Sequence, residues 1–184
     1  MKKLSVFDFV SLDGYYKGLN EDISWNRHGP EEAEFSVEKA TSGNTLLFGR
    51  VTYEMMESFW TTPDAMKVLP EIATGMNSAD KIVFSRSLKK ADWNNTTLVN
   101  SNMVDEVRKL KQLPGKDMTV LGSGNIVTQL ADAGLIDEYQ LMIYPVAIGQ
   151  GTSFFKGLKN NLSLKLVSSR IFNSGTVLLC YQPE

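Results

Sequence analysis

Short apolar runs alternate along the chain with segments whose apolar positions recur every three or four residues. The runs "LSVFDFV" (4–10), "TLLF" (45–48), "DKIVFS" (80–85), "TTLVN" (96–100), "DMTVL" (117–121) and "IDEYQLMIYPVAI" (136–148) are rich in β-branched and aromatic residues. They predict strands. Between them, residues 30–41 carry proline at a first helical position, acids in the first turn, and an apolar face of Ala33, Phe35, Val37 and Ala40. That pattern predicts a helix. Further helices are expected over 50–59, over 65–77 with a break at Pro70, over 102–115 behind a capping Asn102, and over 124–134 up to Gly134. "TTPD" (61–64) ends one helix and caps the next, and the tail "LSLKLVSSRIFNSGTVLLCYQP" holds two β-rich runs around "NSG", a hairpin.

The order is strand–helix alternation followed by an antiparallel hairpin. It predicts a mostly parallel mixed sheet with helices on both faces, an α/β fold in three layers. No linker, repeat or low-complexity segment divides the 184 residues, so one domain over 1–184 is expected. The segment 11–29, "SLDGYYKGLNEDISWNRHG", is long and polar for a connection, which marks it as a candidate functional loop.

Charge narrows the partners. The net charge of -2 gives no global positive field, so neither nucleic acid nor an acidic membrane is expected as a partner. One histidine and one cysteine, Cys180, give no zinc-ligand spacing and no internal disulfide. No metal is expected. The N-terminal apolar run is short and interrupted by Asp8, no run approaches the roughly 18 apolar residues of a membrane helix, and a cytoplasmic setting is expected.

The chemistry concentrates where strands end. "LLFGRVTYE" (46–54), "IVFSRSL" (82–88) and "TVLGSGNIV" (119–127) each close a buried strand with a polar or glycine-containing step. In open α/β sheets ligands sit at the carboxyl ends of the strands, and a helix starting there turns free N–H groups toward an anion. Arg50 and Arg86 can pair with phosphate oxygens, and Thr52, Ser85 and Ser123 can donate from hydroxyls. The pattern Gly122-x-Gly124-x-x-Val127 falls late in the chain and is not a dinucleotide fingerprint, and no phosphate-binding G-x-x-x-x-G-K-[ST] occurs. No step places an acid at the strand end, as a phosphate-binding hydrolase of another α/β fold would want.

"SLDGYYKG" (11–18), "LLFGRVTYE" and "VLGSGNIVTQLADAGLIDEYQLMIYPVAIGQGTSFF" (120–155), in this order, resemble the reductase domain at the C-terminus of the bifunctional riboflavin-pathway deaminase-reductases. The likeness spans nearly the whole chain and points to the stand-alone members, which share the fold of dihydrofolate reductase. It implies a dihydrofolate-reductase-like three-layer sheet and NADPH across the strand ends. Carried over by position, Gly49, Arg50, Val51 and Thr52 would meet the cofactor phosphates, Ser85 and Arg86 the adenosine ribose, and Gly122, Ser123, Gly124 and Asn125 the pyrophosphate. The chain departs from the riboflavin members at the late step, where Leu121-Gly122-Ser123 stands for Glu-Gly-Gly, and without zinc-ligand spacing no deaminase domain is expected in these residues.

The resemblance also implies hydride transfer to a small heterocycle, similar to an aminouracil or a pterin. Asp13 and Glu32 are the candidate catalytic acids; Ser11, Trp25, Glu31 and Gly151 are the candidate substrate contacts. Simpler readings stand beside these: Asp13 as a turn residue before Gly14, Glu31 and Glu32 as helix-dipole partners, His28 as a solvated loop histidine. A homodimer through the sheet edge or the hairpin is expected for such a family. The competing reading is a non-catalytic, nucleotide-binding or dimeric scaffold of the same fold.

Overall fold

A computed structural model describes residues 1–184 apart from Ser123. The apolar runs become strands β1 (Leu4–Ser11), β3 (Thr45–Gly49), β4 (Lys81–Phe84), β5 (Thr96–Val99), β6 (Met118–Leu121) and β7 (Glu138–Tyr144). The tail forms the hairpin β9 (Leu164–Ile171) and β10 (Val177–Pro183). The helices are α1 (Pro30–Ala40), α2 (Arg50–Trp60), α3 (Pro63–Val68), α4 (Pro70–Ser78), α5 (Met103–Gln112) and α6 (Gly124–Asp132). Pro70 breaks the 63–78 helical segment as expected, because a proline ring cannot continue the turn before it. Thr62 and Asn102 cap their helices, accepting from Ala65 N and Asp105 N, each at 3.2 Å.

The long polar segment is not a bare loop. Its Tyr15–Lys17 forms a short strand, β2, antiparallel to β8 (Thr152–Ser153), as a separate two-stranded ribbon. The pairing needs Gly151, whose φ is +149° and whose absent Cβ would lie 2.2 Å from Lys17 O.

The main sheet has eight strands in the order β5-β4-β3-β6-β1-β7-β10-β9. The six strands from β5 to β7 are parallel, and β10 runs antiparallel to β7. From β1 the chain moves one way across the sheet through β3, β4 and β5; then β6 inserts between β3 and β1, and β7 lies beyond. Right-handed crossovers in two directions put helices on opposite faces. On one face Phe35 of α1, Tyr53 of α2 and Met76 of α4 pack on Phe7, Leu46 and Phe48. On the other, Val107 of α5 and Ile126 and Leu130 of α6 pack on Val6, Leu47 and Val120. Central strands are therefore covered twice and read as continuous apolar runs. The buried Lys81 fits because its ammonium donates to Met76 O at 2.8 Å and Ala79 O at 2.7 Å. Among the described residues no helix is long and apolar enough to cross a membrane.

Candidate functional site at the carboxyl edge

Because the six strands are parallel, β1, β3, β4, β6 and β7 end along one edge. The helix after β3 lies on one face and the helix after its neighbour β6 lies on the other, which opens a crevice between them. Gly49 caps α2 in extended conformation with no side-chain bond, and the first turn of α2 carries no acid. Among the described residues its leading N–H groups thus lack the side-chain partners that Thr62 and Asn102 give α3 and α5. Across the crevice Gly122 has φ +60°, and a Cβ there would come within 3.1 Å of the Thr52 methyl. Glycine is what lets the two steps close on each other.

Charge at this edge is available but lightly held. Arg50 Nη1 meets Glu54 Oε2 at 2.8 Å, an exposed one-turn pair of small worth. Arg86 is exposed and makes no ion pair among the described residues. Val51 is exposed beside Arg50. The Ser85 hydroxyl oxygen accepts from Leu88 N at 2.9 Å and Ser87 N at 3.2 Å, so its lone pairs build its own turn. The Asn125 side chain turns to Gln129 one helical turn on. The expected role of Ser123 lies outside the described residues. Gly124 also has a packing role. Its Cβ position would meet Phe154 O at 2.9 Å and the Tyr16 ring at 3.1 Å, so its smallness serves the packing of α6 on the β2–β8 ribbon.

The acids expected to move protons are held as carboxylates. Asp13 accepts from Ser11 Oγ at 2.7 Å, Gly149 N at 2.7 Å and Ile148 N at 3.2 Å. The Ser11 bond foremost holds its carboxyl below the usual range. Ser11, buried, also accepts from Tyr15 N at 3.0 Å. Both residues therefore staple the turn after β1 to the segment after β7. Gly151 likewise serves the ribbon's close approach. Glu31 accepts from Asn173 N at 2.8 Å and Glu32 from Ser174 Oγ, so both tie α1 to the β9–β10 turn. Burial pushes the Glu32 carboxyl upward, but bonds from Ser174, its own backbone, Thr176 and Gly29 outweigh it, and it stays ionised. Asp13 and Glu32 are both tied to distant segments by these bonds.

Beside Glu32 lies a cluster that sequence reading left largely unassigned. His28 Nδ1 is 2.8 Å from Tyr144 Oη at the end of β7, and the His28 ring stands edge-on to Phe9 at 4.9 Å. Desolvation against these rings lowers the His28 pKa, against the upward pull of Glu32. Burial raises the Tyr144 phenol, with Glu32 adding to it. Trp25 stands edge-on to Tyr144 at 5.9 Å, and the buried Trp25 Nε1 and Asn26 Oδ1 have no hydrogen-bond partner among the described residues. Ser174 and Thr176 carried no signal beyond a hairpin turn. Asp8 carried one, an acid inside an apolar strand, and it is 8 % exposed with Oδ2 unbonded among the described residues.

The model of the RibD C-terminal domain family matches residues 2–178. The chain is 32 % identical over 172 residues to YyaP of Bacillus subtilis (strain 168), described as uncharacterised, covering 94 % of this chain and 90 % of that one. It is 25 % identical to YwjB of the same organism, also described as uncharacterised, over 96 % of both. Among solved structures it is similar to a candidate riboflavin biosynthesis protein from Shewanella sp. PV-4, with TM-score 0.79, 21 % identity and 99 % of both chains covered. It also matches the diaminohydroxyphosphoribosylaminopyrimidine deaminase/5-amino-6-(5-phosphoribosylamino)uracil reductase of Thermotoga maritima, with TM-score 0.72 and 16 % identity. All of this chain and 57 % of that one are covered. At these identities the two structures establish the fold.

Proposed function

Because the chain belongs to the RibD C-terminal domain family, we propose that it is an NADPH-dependent reductase of a small heterocycle of aminouracil or pterin type. The observation that carries this reading is the approach of Gly122 to Thr52, which brings the open start of α2 against the β6–α6 step across the crevice. Bound there, the cofactor supplies a hydride to a C=N or C=O carbon. The first N–H groups of α2, with Arg50 and Thr52, hold phosphate oxygens; Gly122 and the start of α6 accommodate the pyrophosphate. Arg86 selects the 2′-phosphate.

The heterocycle lies on the α1 side of the sheet, toward Trp25, Asn26 and His28. The Trp25 Nε1 donor and the Asn26 Oδ1 acceptor on that side are closed off from solvent and unpaired among the described residues. Glu32 stays ionised, accepts from Ser174 of the hairpin turn and pulls the His28 pKa upward. The proton shared by Tyr144 Oη and His28 Nδ1 gives the site its relay, with a neutral imidazole at physiological pH. The name of the Thermotoga maritima protein, which includes a uracil reductase, supports this chemistry.

In this reading the protein works in the cytoplasm as a homodimer. Strand β9 supports the pairing: it is a sheet edge with Leu166, Val167 and Ile171 exposed. The test of function is a panel of aminopyrimidines and pterins mixed with protein and NADPH, read as loss of nicotinamide absorbance. Oxidation that requires one class of heterocycle supports the reading. NADPH that binds but is never oxidised favours the scaffold.

A further inference from the structure

The glycine step after β6 is bracketed by two hydroxyl-bearing side chains from different elements. One is Thr52 of α2, whose hydroxyl oxygen lies 3.5 Å from the Cβ position of Gly122. The other is Tyr16 of β2. Its Cε1 lies 3.1 Å and its Cζ 3.4 Å from the Cβ position of Gly124, the first residue of α6. Cζ carries the phenol oxygen, so the hydroxyl end of the ring, not its base, borders the head of the helix. Tyr16 is half-buried, and its ring stands edge-on to Phe154 at 6.2 Å. The pairs Tyr15–Ser153 and Lys17–Thr152 hold the strand that carries it. The Lys17 ammonium stands over the same ring, 5.4 Å from its centre. Its side chain is 18 % exposed and is paired with Glu21, a well-exposed acid in left-handed conformation at φ +62°. Burial disfavours the charge on Lys17, but Glu21 and Tyr16 outweigh it, so the ammonium stays charged beside the phenol.

Strand order gives this bracket a direction. Along the carboxyl edge β4, β3, β6 and β1 follow one another. Arg86 after β4, Arg50 and Thr52 after β3, the head of α6 after β6 and Tyr16 after β1 are therefore met in that sequence. With Arg86 on the 2′-phosphate, Tyr16 stands toward the nicotinamide end. We propose that Tyr16 is a further cofactor-binding residue, its hydroxyl donating a hydrogen bond to the nicotinamide-side phosphoryl group of the pyrophosphate, with the Lys17 ammonium supplying positive charge beside it. The inference rests on the cofactor reading above and extends it to the ribbon. The start of α2 with Arg50 serves one phosphoryl group, and Tyr16 with Lys17 serves the other. Hydrogen bonds to such an anion are charge-assisted and strong.

The experiment is calorimetric titration of wild-type protein, Tyr16→Phe and Lys17→Met with NADPH and with its adenosine half, adenosine 2′,5′-bisphosphate. Tyr16→Phe keeps the ring that packs on Gly124, and Lys17→Met keeps an apolar stem over that ring. Each variant should bind NADPH about 10-fold more weakly than the wild type, the worth of one bond to a charged group. Adenosine 2′,5′-bisphosphate lacks the nicotinamide-side phosphoryl group, so its affinity should stay within twofold of wild type in both variants. A merely structural role would weaken the two ligands alike. NADPH affinity within twofold of wild type in either variant, or an equal loss for the adenosine half, overturns the proposal and leaves the cofactor site standing. Wild-type protein that binds neither ligand removes both.

Discussion

His28 Nδ1 and Tyr144 Oη lie 2.8 Å apart, and this contact joins the loop before α1 to the end of β7. Tyr144→Phe removes the hydroxyl and keeps the ring that packs on Phe9 and Trp25. Stability should fall by about 1 kcal/mol, the net worth of one hydrogen bond. Turnover of an accepted heterocycle should fall about 100-fold, as expected when a positioned proton relay is lost. Denaturant unfolding and steady-state kinetics on the same variant separate the two. Turnover within twofold of wild type would remove Tyr144 from the chemistry.

Asp8 predicts an unusual pH dependence of stability. Its carboxyl is raised from 3.8 to about 7 in the folded protein. Between those values the folded state holds a proton that the unfolded state has lost, so stability falls as pH rises through this window and is flat above it. The loss amounts to about 4 kcal/mol at most. Asp8→Asn should cancel the dependence and be the more stable protein at pH 8. Urea midpoints at pH 4.5 and 8 for both proteins check it; equal midpoint shifts in the two contradict it.

Gly151→Ala should act on the ribbon and spare the core. The new Cβ would sit 2.2 Å from Lys17 O at φ +149°, so the β2–β8 pairing must open, at a cost of about 2–4 kcal/mol. Hydrogen exchange should rise at residues 15–17 and 152–154 while β1 and β7 stay protected. Unchanged protection across the ribbon would refute this account of Gly151.

The element order was legible because buried parallel strands, proline at helix starts and short polar caps leave local marks. Asn102 and Thr62 cap where the sequence placed caps. The hairpin around "NSG" formed as read. What the sequence did not show was distance. Glu31 and Glu32 meet a turn 142 residues away, and a pair of acids at a helix start looks the same whether it faces water or Ser174. Asp13 before Gly14 could be an acid or a staple until Gly149 N was found on it. Tyr144 in an apolar strand gave no sign of His28. Two cavities, of about 550 and 800 Å³, are lined by residues such as Lys81 and Trp93, or Glu57 and Asn77, and neither lining includes Gly49, Arg50, Thr52, Gly122 or Gly124.

If β9 is the dimer edge, a charge on it should separate the protomers. Val167→Lys and Ile171→Lys alter exposed positions and should leave stability within about 0.5 kcal/mol. Sedimentation velocity should show a dimer for the wild type and a monomer for the double variant. A wild-type monomer, or a dimer that survives both charges, rejects this edge.

The central claim is that the open start of α2, facing Gly122, holds a phosphorylated nicotinamide cofactor. Its most direct test is titration of the protein with NADPH and NADH by nicotinamide fluorescence, with Arg50→Ala and Arg86→Ala alongside. The account predicts NADPH binding tighter than NADH, weaker binding of both in Arg50→Ala, and loss of the preference in Arg86→Ala. Absence of binding to either nucleotide by the wild-type protein would contradict it.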